Sequence, residues 1–267
     1  MRTREEYLSI VESTLDEVLP KEDERPAALS AAMRWAVGTG GKRIRPMICL
    51  AAAEAVGGRA EDARYPAAAV ELLHNYTLVH DDLPAMDGDE IRRGKASVWA
   101  RFGEANGILA GDALQALAFA TAARAPRNVP GIVAALGRRG VGVVAGQVED
   151  LVRETSANGA KVLPADTVDF VYEHKTADLF MAAATMGGLA GGGDAESVEA
   201  LRRFALNLGL AFQYEDDLLD GDSPWGRRET ERRAADSTNA AVSALAELKG
   251  GAEFLREIAR SLIGRKT

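Results

Sequence analysis

Apolar residues recur along this chain at intervals of three and four. Tyr7, Ile10, Val11, Leu15, Val18 and Leu19 fall on one stripe with charged residues between them, the mark of an amphipathic helix packed by one face. The stretch 66–82 carries Ala69, Val70, Leu72, Leu73, Tyr76, Thr77 and Val79 and predicts a buried helix that ends on Asp81 and Asp82, just ahead of Pro84. The same periodicity predicts helices over 107–123, 133–152, 167–189, 197–219 and 234–263. Turn signals separate these runs: Gly38-Thr39-Gly40-Gly41, Gly57-Gly58, Asp87-Gly88-Asp89, Ala125-Pro126, Asn158-Gly159 and Gly191-Gly192-Gly193. No alternating strand of useful length, no fixed-period repeat and no linker-like break in composition interrupts the pattern. The expectation is one all-α domain over residues 1–267, a bundle of roughly ten or more helices.

Composition sharpens this picture. Apolar residues make up 47% of the 267 positions and aromatic residues only 6%, with Ala and Gly abundant. That suits close helix packing better than a β-sandwich. A net charge of −8 argues against a general nucleic-acid binder, which needs a basic surface, but leaves anionic small molecules open. Cys49 is the only cysteine, so no internal disulfide forms and a small buried hydrophobe is expected there. The charged, amphipathic N-terminus lacks the apolar run of a signal peptide. No uninterrupted apolar stretch reaches the roughly 18 residues of a membrane span. A cytoplasmic protein without stable membrane insertion is expected.

Two acidic clusters carry the candidate chemistry. One is Asp81-Asp82 with Asp87 beyond Pro84; the other is Asp216-Asp217 with Asp220, where Asp216 and Asp220 share a helix face. Each aspartate pair follows an apolar run. Clustered carboxylates in such a setting repel one another and resist burial. A hard divalent cation relieves both problems, and Mg²⁺ prefers one or two carboxylates completed by substrate phosphates and water. Cationic residues lie where phosphates would need them. Lys42 and Arg45 follow a glycine turn and are expected to face the same way on a starting helix. Arg92 and Arg93 follow the first acidic cluster, and Arg grips phosphate oxygens with a planar fork. His74 sits seven residues before Asp81, on roughly the same face, and Lys175 stands inside an otherwise apolar helix.

Taken together, the stretches GGKRIRP (40–46), ELLHNYTLVHDDLPAMDGDEIRRGK (71–95), FGEANGILAGDAL (102–114), GQVEDL (146–151), HKTADLF (174–180) and FQYEDDLLD (212–220) resemble the trans-prenyltransferase (polyprenyl synthetase) family, and within it the bacterial-type farnesyl diphosphate synthases. The resemblance implies an isoprenoid-synthase fold around a central cavity, usually in a homodimer. It implies three Mg²⁺ ions bridging Asp81, Asp82, Asp87, Asp216, Asp217 and Asp220 to an allylic diphosphate. Arg92, Lys175 and Gln147 match the allylic diphosphate site; Lys42, Arg45, His74 and Arg93 match the isopentenyl diphosphate site. Lys175, Thr176, Gln213 and Arg92 match the reaction region, which Asp150 also lines. Tyr76 and Thr77, just before Asp81, match positions that set product length, and an aromatic ring there resembles the farnesyl pattern. The implied reaction is Mg²⁺-dependent head-to-tail condensation of isopentenyl diphosphate with an allylic diphosphate, giving farnesyl diphosphate. A geranyl or geranylgeranyl synthase, or a non-catalytic subunit of the same fold, are the alternatives.

After Asp220 the likeness ends. The C-terminal region is shortened, and no lysine stands between Lys175 and Lys249, where the family has a diphosphate-binding Lys loop. Arg227, Arg228, Arg232 and Arg233 are candidates to replace that cation. Asp178 is a second departure, an acid where the family has a small residue.

Overall fold

The computed structural model describes residues 2–156, 165–221, 223–248 and 250–261. Among them the helical periodicity is realised almost everywhere. Helix α1 (Arg4–Val18) opens with a capping box in which the Thr3 hydroxyl accepts from the Glu6 N–H and the Glu6 carboxylate accepts from the Thr3 N–H, satisfying two orphan donors at once. Then come α2 (Ala27–Gly38), α3 (Ile44–Ala55), α4 (Arg64–Asp81), the short α5 (Val98–Phe102), α6 (Glu104–Ala122) and α7 (Val129–Ser156). Helix α8 (Ala165–Val171) runs into a π-helical turn, Tyr172–Ala177, which continues as α9 (Asp178–Gly191); α10 (Ala195–Asp220), α11 (Arg227–Ala244) and α12 (Glu253–Ser261) complete the described fold.

Helix α9 is the axis of the core. Leu179, Phe180, Met181, Ala182, Ala183, Ala184, Met186 and Ala190 are all buried. A helix apolar all round is stable only when enclosed, and α3, α4, α7 and α10 all pack against it. Small residues bring α3 and α9 together: a methyl group at Gly187 would overlap the Cys49 carbonyl. Each fully buried Leu, Ile or Phe in this core contributes about 1.5–3 kcal/mol. Cys49 is part of it, and burial pushes its thiol up, away from ionisation.

Two expectations change, and one element is added. The run 167–189 is not one helix but two, separated by the π turn; an inserted residue leaves no trace in a 3.6-residue pattern. The run 234–263 divides at a 3₁₀ turn over Leu245–Glu247, and its preceding helix starts earlier, at Arg227. Arg92 and Arg93 belong to a small antiparallel hairpin, Ile91–Arg92 against Lys95–Ala96. Its two turn residues have positive φ, 53° at Arg93 and 75° at Gly94, the geometry tight hairpins favour. The Asn158-Gly159 turn and positions 262 and 263 lie outside the described residues.

Candidate active site

Both acidic clusters close helices: α4 ends at Asp81 and α10 at Asp220. The carbonyl end of a helix is its negative end, and an anion there is disfavoured by roughly 0.3–1 kcal/mol. Helix α9 contacts both α4 and α10.

Within each pair, the second aspartate is occupied by the protein. Asp82 is 2% exposed and accepts from Arg92 Nε at 2.8 Å and Nη2 at 2.5 Å; Arg92 also reaches Asp89 at 2.9 Å. Asp217 is buried and accepts from the Tyr172 hydroxyl and from Gln213 Nε2 at 3.1 Å. The first aspartates line the two site cavities. Asp81 borders a mostly apolar cavity of about 530 Å³ with Tyr76, Thr77, Leu83, Val143, Val144, Gln147, Val148, Leu151, Lys175, Thr176 and Leu179. Burial pushes its carboxyl up to about 6, Asp87 and Asp82 add to the shift, and Lys175 and Arg92 oppose it. Asp216 borders a cationic cavity of about 720 Å³ with Lys42, Arg43, Arg45, Glu71, His74, Arg92, Arg93 and Phe212. The two cavities share Arg45, His74 and Leu78. Asp87 is exposed, but its N–H donates to the Asp81 carbonyl at 2.9 Å, which returns it to the end of α4. Asp220 is exposed at the last residue of α10.

The cationic cavity is short of anions. The Arg45 guanidinium lies over the Phe180 ring at 4.5 Å and 3.5 Å from His74 Nε2. Its Nε is buried without a hydrogen-bond partner, and burial pushes the group down to about 10, with Arg93 adding and Glu71 and Asp216 opposing. Burial and the charges of Arg45, Arg93, Arg43 and Arg92 hold the His74 imidazole well below its ordinary value, hence neutral. Arg93 Nη1 donates to the Gly40 carbonyl, tying the hairpin tip to the glycine turn. Lys42 lies in the loop ahead of α3, while Arg45 is in its first turn, so the expected shared helical face does not form. The structure adds Arg43 between them. It is 5% exposed, has φ 49°, and binds Glu71 at 2.7 Å, Glu12 at 2.8 Å and the Val37 carbonyl at 2.8 Å. Arg43 anchors the loop; Glu71, a lone acid in the apolar run of α4, was the signal that a buried cation would be needed.

Lys175 and Thr176 project from the π turn. Lys175 Nζ donates to Asp150 Oδ2 of α7 at 2.6 Å, and Thr176 Oγ1 to Gln213 Oε1 of α10 at 2.8 Å. Tyr76 is half-buried, packed on His80 with ring centroids 4.9 Å apart. The α11 arginines do not supply the missing cation here. Arg227 pairs with Glu231, Arg232 with Glu229 and Asp236, and Arg233 with Glu229 and Asp169 above the Trp225 ring. None of these three, nor Arg228, lines either site cavity. Among the described residues no three carboxylates, imidazoles or thiols converge on one point. A further cavity, by α1, α3 and α12, has its polar groups satisfied internally, Arg2 and Tyr7 both on Glu54.

An all-α shell with two carboxylate-ended helices facing an apolar and a cationic cavity defines an isoprenoid-synthase type of protein. The chain belongs to the polyprenyl synthetase family, whose model matches residues 26–249. It is 43% identical over 217 residues to a chloroplastic geranylgeranyl pyrophosphate synthase of Capsicum annuum; the match covers 79% of this chain and 57% of that protein. The fold superposes on an apo FPP/GFPP synthase of Zymomonas mobilis with a TM-score of 0.89 and 32% identity, covering 97% of each chain. It also matches a polyprenyl synthase of Caulobacter crescentus, complexed with calcium and isoprenyl diphosphate, with a TM-score of 0.84 and 28% identity, covering 98% of this chain and 96% of that one.

Proposed function

We propose that this protein is a magnesium-dependent prenyl diphosphate synthase, condensing isopentenyl diphosphate head to tail with an allylic diphosphate. One observation carries the reading: an apolar cavity with Asp81 and Lys175 on its wall adjoins a cationic cavity holding Asp216, through shared Arg45 and His74. The first suits a hydrocarbon tail and the second a diphosphate. The donor set fits Mg²⁺. It is all carboxylate oxygen, it stands at negative helix ends, and burial pushes the Asp81 carboxyl up to about 6, a cost that a bound cation would relieve. Among the described residues too few donors converge to hold an ion alone, as in Mg²⁺ sites that substrate phosphates complete. The calcium in the Caulobacter crescentus structure is a hard cation of the same kind. Three ions, the number the family resemblance implies, belong to this reading.

Bound Mg²⁺ would neutralise charge on the departing diphosphate. Arg92 and Lys175 hold the allylic diphosphate, with Gln147 beside it. Lys42, Arg45 and Arg93 hold isopentenyl diphosphate, with neutral His74 as a hydrogen-bonding partner. Thr176 and Gln213 fix the floor of the reaction region through their mutual hydrogen bond. The proton released on condensation passes to the departing diphosphate, and no protein nucleophile is required.

Product length has two supports. The Tyr76 ring favours farnesyl (C15); the name of the 43% identical relative favours geranylgeranyl (C20). The C20 reading is the better supported, since the other rests on one side chain. A homodimer completes the proposal. Ile108 and Leu109 of α6 and Val141, Val144, Val148 and Val152 of α7 are exposed. Val144 and Val148 also line the apolar cavity, so a second copy on this face would close its open side. Residues Val129–Val152 are long and apolar enough to cross a membrane by length and composition, but Arg138, Arg139, Glu149 and Asp150 within them favour a protein partner over lipid.

The test is turnover. Purified protein with Mg²⁺, isopentenyl diphosphate and each of the C5, C10 and C15 allylic diphosphates is expected to elongate the primers to C20. Elongation of none of them would overturn the proposal.

A further inference from the structure

The π turn at Tyr172–Ala177 is an unfavourable element that persists only where tertiary contacts hold it. Its Tyr172 end is held by the hydroxyl bond to Asp217. Its other end runs into Asp178, the acid that departs from the family pattern. Asp178 is 1% exposed. Its Oδ1 accepts from Arg139 Nη1 of α7 at 2.7 Å, and its Oδ2 lies 2.9 Å from His174 Nδ1 within the turn. Helix α7 is shaped for this contact. A methyl group at Gly142 would overlap the Asp178 carboxylate, and one at Gly146 would overlap the Lys175 backbone. From the opposite side, a methyl group at Gly209 of α10 would meet Ala177 at 2.5 Å.

We infer that Asp178 is a positioning residue: clamped to Arg139 and His174, it fixes the π turn so that Lys175 meets the allylic diphosphate and Thr176 holds Gln213 in the reaction region. The inference rests on the proposed function and deepens it. Asp178 touches no reacting atom. It acts through His174, the residue before Lys175, and through the register in which the turn leaves α9. Misplacing a catalytic group by about 1 Å lowers rate by about 100-fold, so a clamp of this kind is felt at one substrate and not the other.

The experiment compares Asp178→Ala, Asp178→Asn, Gly142→Ala and the Asp178→Ala/Gly142→Ala pair in the full-length protein. It measures kinetics for each substrate, and calorimetric binding of geranyl diphosphate with Mg²⁺ in the absence of isopentenyl diphosphate. Asp178→Ala is expected to lower kcat/KM for the allylic substrate about 10- to 100-fold and to weaken geranyl diphosphate binding, while KM for isopentenyl diphosphate stays within about twofold. Asp178→Asn keeps the shape and recovers most of the loss. Gly142→Ala alone mimics Asp178→Ala, and the double variant is no worse than either single one, because the overlap needs the carboxylate. Wild-type kinetics in Asp178→Ala, or equal losses for both substrates together with a lower Tm, would overturn the inference while leaving the proposed function standing. A wild-type protein that neither elongates a primer nor binds geranyl diphosphate removes both.

Discussion

The two acidic clusters read alike in sequence and are built alike in space, yet the members of each pair differ. Asp82 and Asp217 are buried and held, one by Arg92, the other by Tyr172 and Gln213. Asp81 and Asp216 border the cavities. One aspartate of each pair thus secures the helix end, and its neighbour borders a cavity, where the proposed function puts a cation and a diphosphate. A protein optimised for stability would not leave a carboxylate at a helix C-terminus in an apolar wall; functional sites do so.

The sharpest way to break this comparison is by charge removal. Asp81→Asn and Asp216→Asn are each expected to lower kcat/KM by about 10²–10³-fold, the scale of losing one preorganised electrostatic group. Asp82→Asn and Asp217→Asn are expected to do less to turnover and more to stability, about 1–3 kcal/mol, because each weakens the hydrogen bonds that a buried carboxylate accepts, from Arg92 at Asp82 and from Tyr172 and Gln213 at Asp217. Steady-state kinetics beside thermal or urea unfolding distinguishes the two classes. Four variants with equal profiles would show that the pairs are not divided in this way.

The pH dependence of Asp81 sharpens the same point. Its folded carboxyl stands at about 6 against an ordinary value of 3.8. The folded state therefore holds this proton more tightly than the unfolded chain. Stability from this group is complete below about 3.8 and is lost as pH rises through about 6. The metal-free protein is expected to lose Tm across that window, and Asp81→Asn to lose less and be the more stable at neutral pH. Since Mg²⁺ must displace the proton, its affinity should fall as pH drops below about 6, measurable by calorimetry in the presence of diphosphate.

Two smaller effects test the supports of the site. Tyr172→Phe removes one hydrogen bond to Asp217 and should lower stability by about 1 kcal/mol, read from urea midpoints at unchanged slope. Tyr76→Ala should leave the rate within a few-fold of wild type while lengthening the product by a C5 unit, read by chromatography of dephosphorylated prenols. Unchanged product length would remove Tyr76 from the cavity's end.

The helices and the aspartates were legible because both are written locally: apolar spacing marks the buried stripe of α1 and α4, and a DD pair after an apolar run stands out on any reading. The division of labour inside each pair was not, since it depends on Arg92 folding back through a hairpin and on Tyr172 arriving from a distant helix. Lys42, Arg43 and Arg45 look equivalent as text; at Arg43, where φ is positive, the side chain turns inward to Glu71, Glu12 and the Val37 carbonyl and anchors the loop. The π turn was invisible for the same kind of reason, because an i→i+5 step has no compositional mark. The α11 arginines looked available, but acids three and four residues away on the same helix occupy Arg227, Arg232 and Arg233, as helical spacing allows.

The proposed function requires a diphosphate held jointly by divalent metal and the cavity-lining aspartates. Calorimetric titration of geranyl diphosphate, without isopentenyl diphosphate so that nothing turns over, tests this directly. Tight binding is predicted with Mg²⁺, with a large loss in EDTA and in Asp81→Asn or Asp216→Asn. Equal affinity with and without Mg²⁺, unaffected by either substitution, would contradict it.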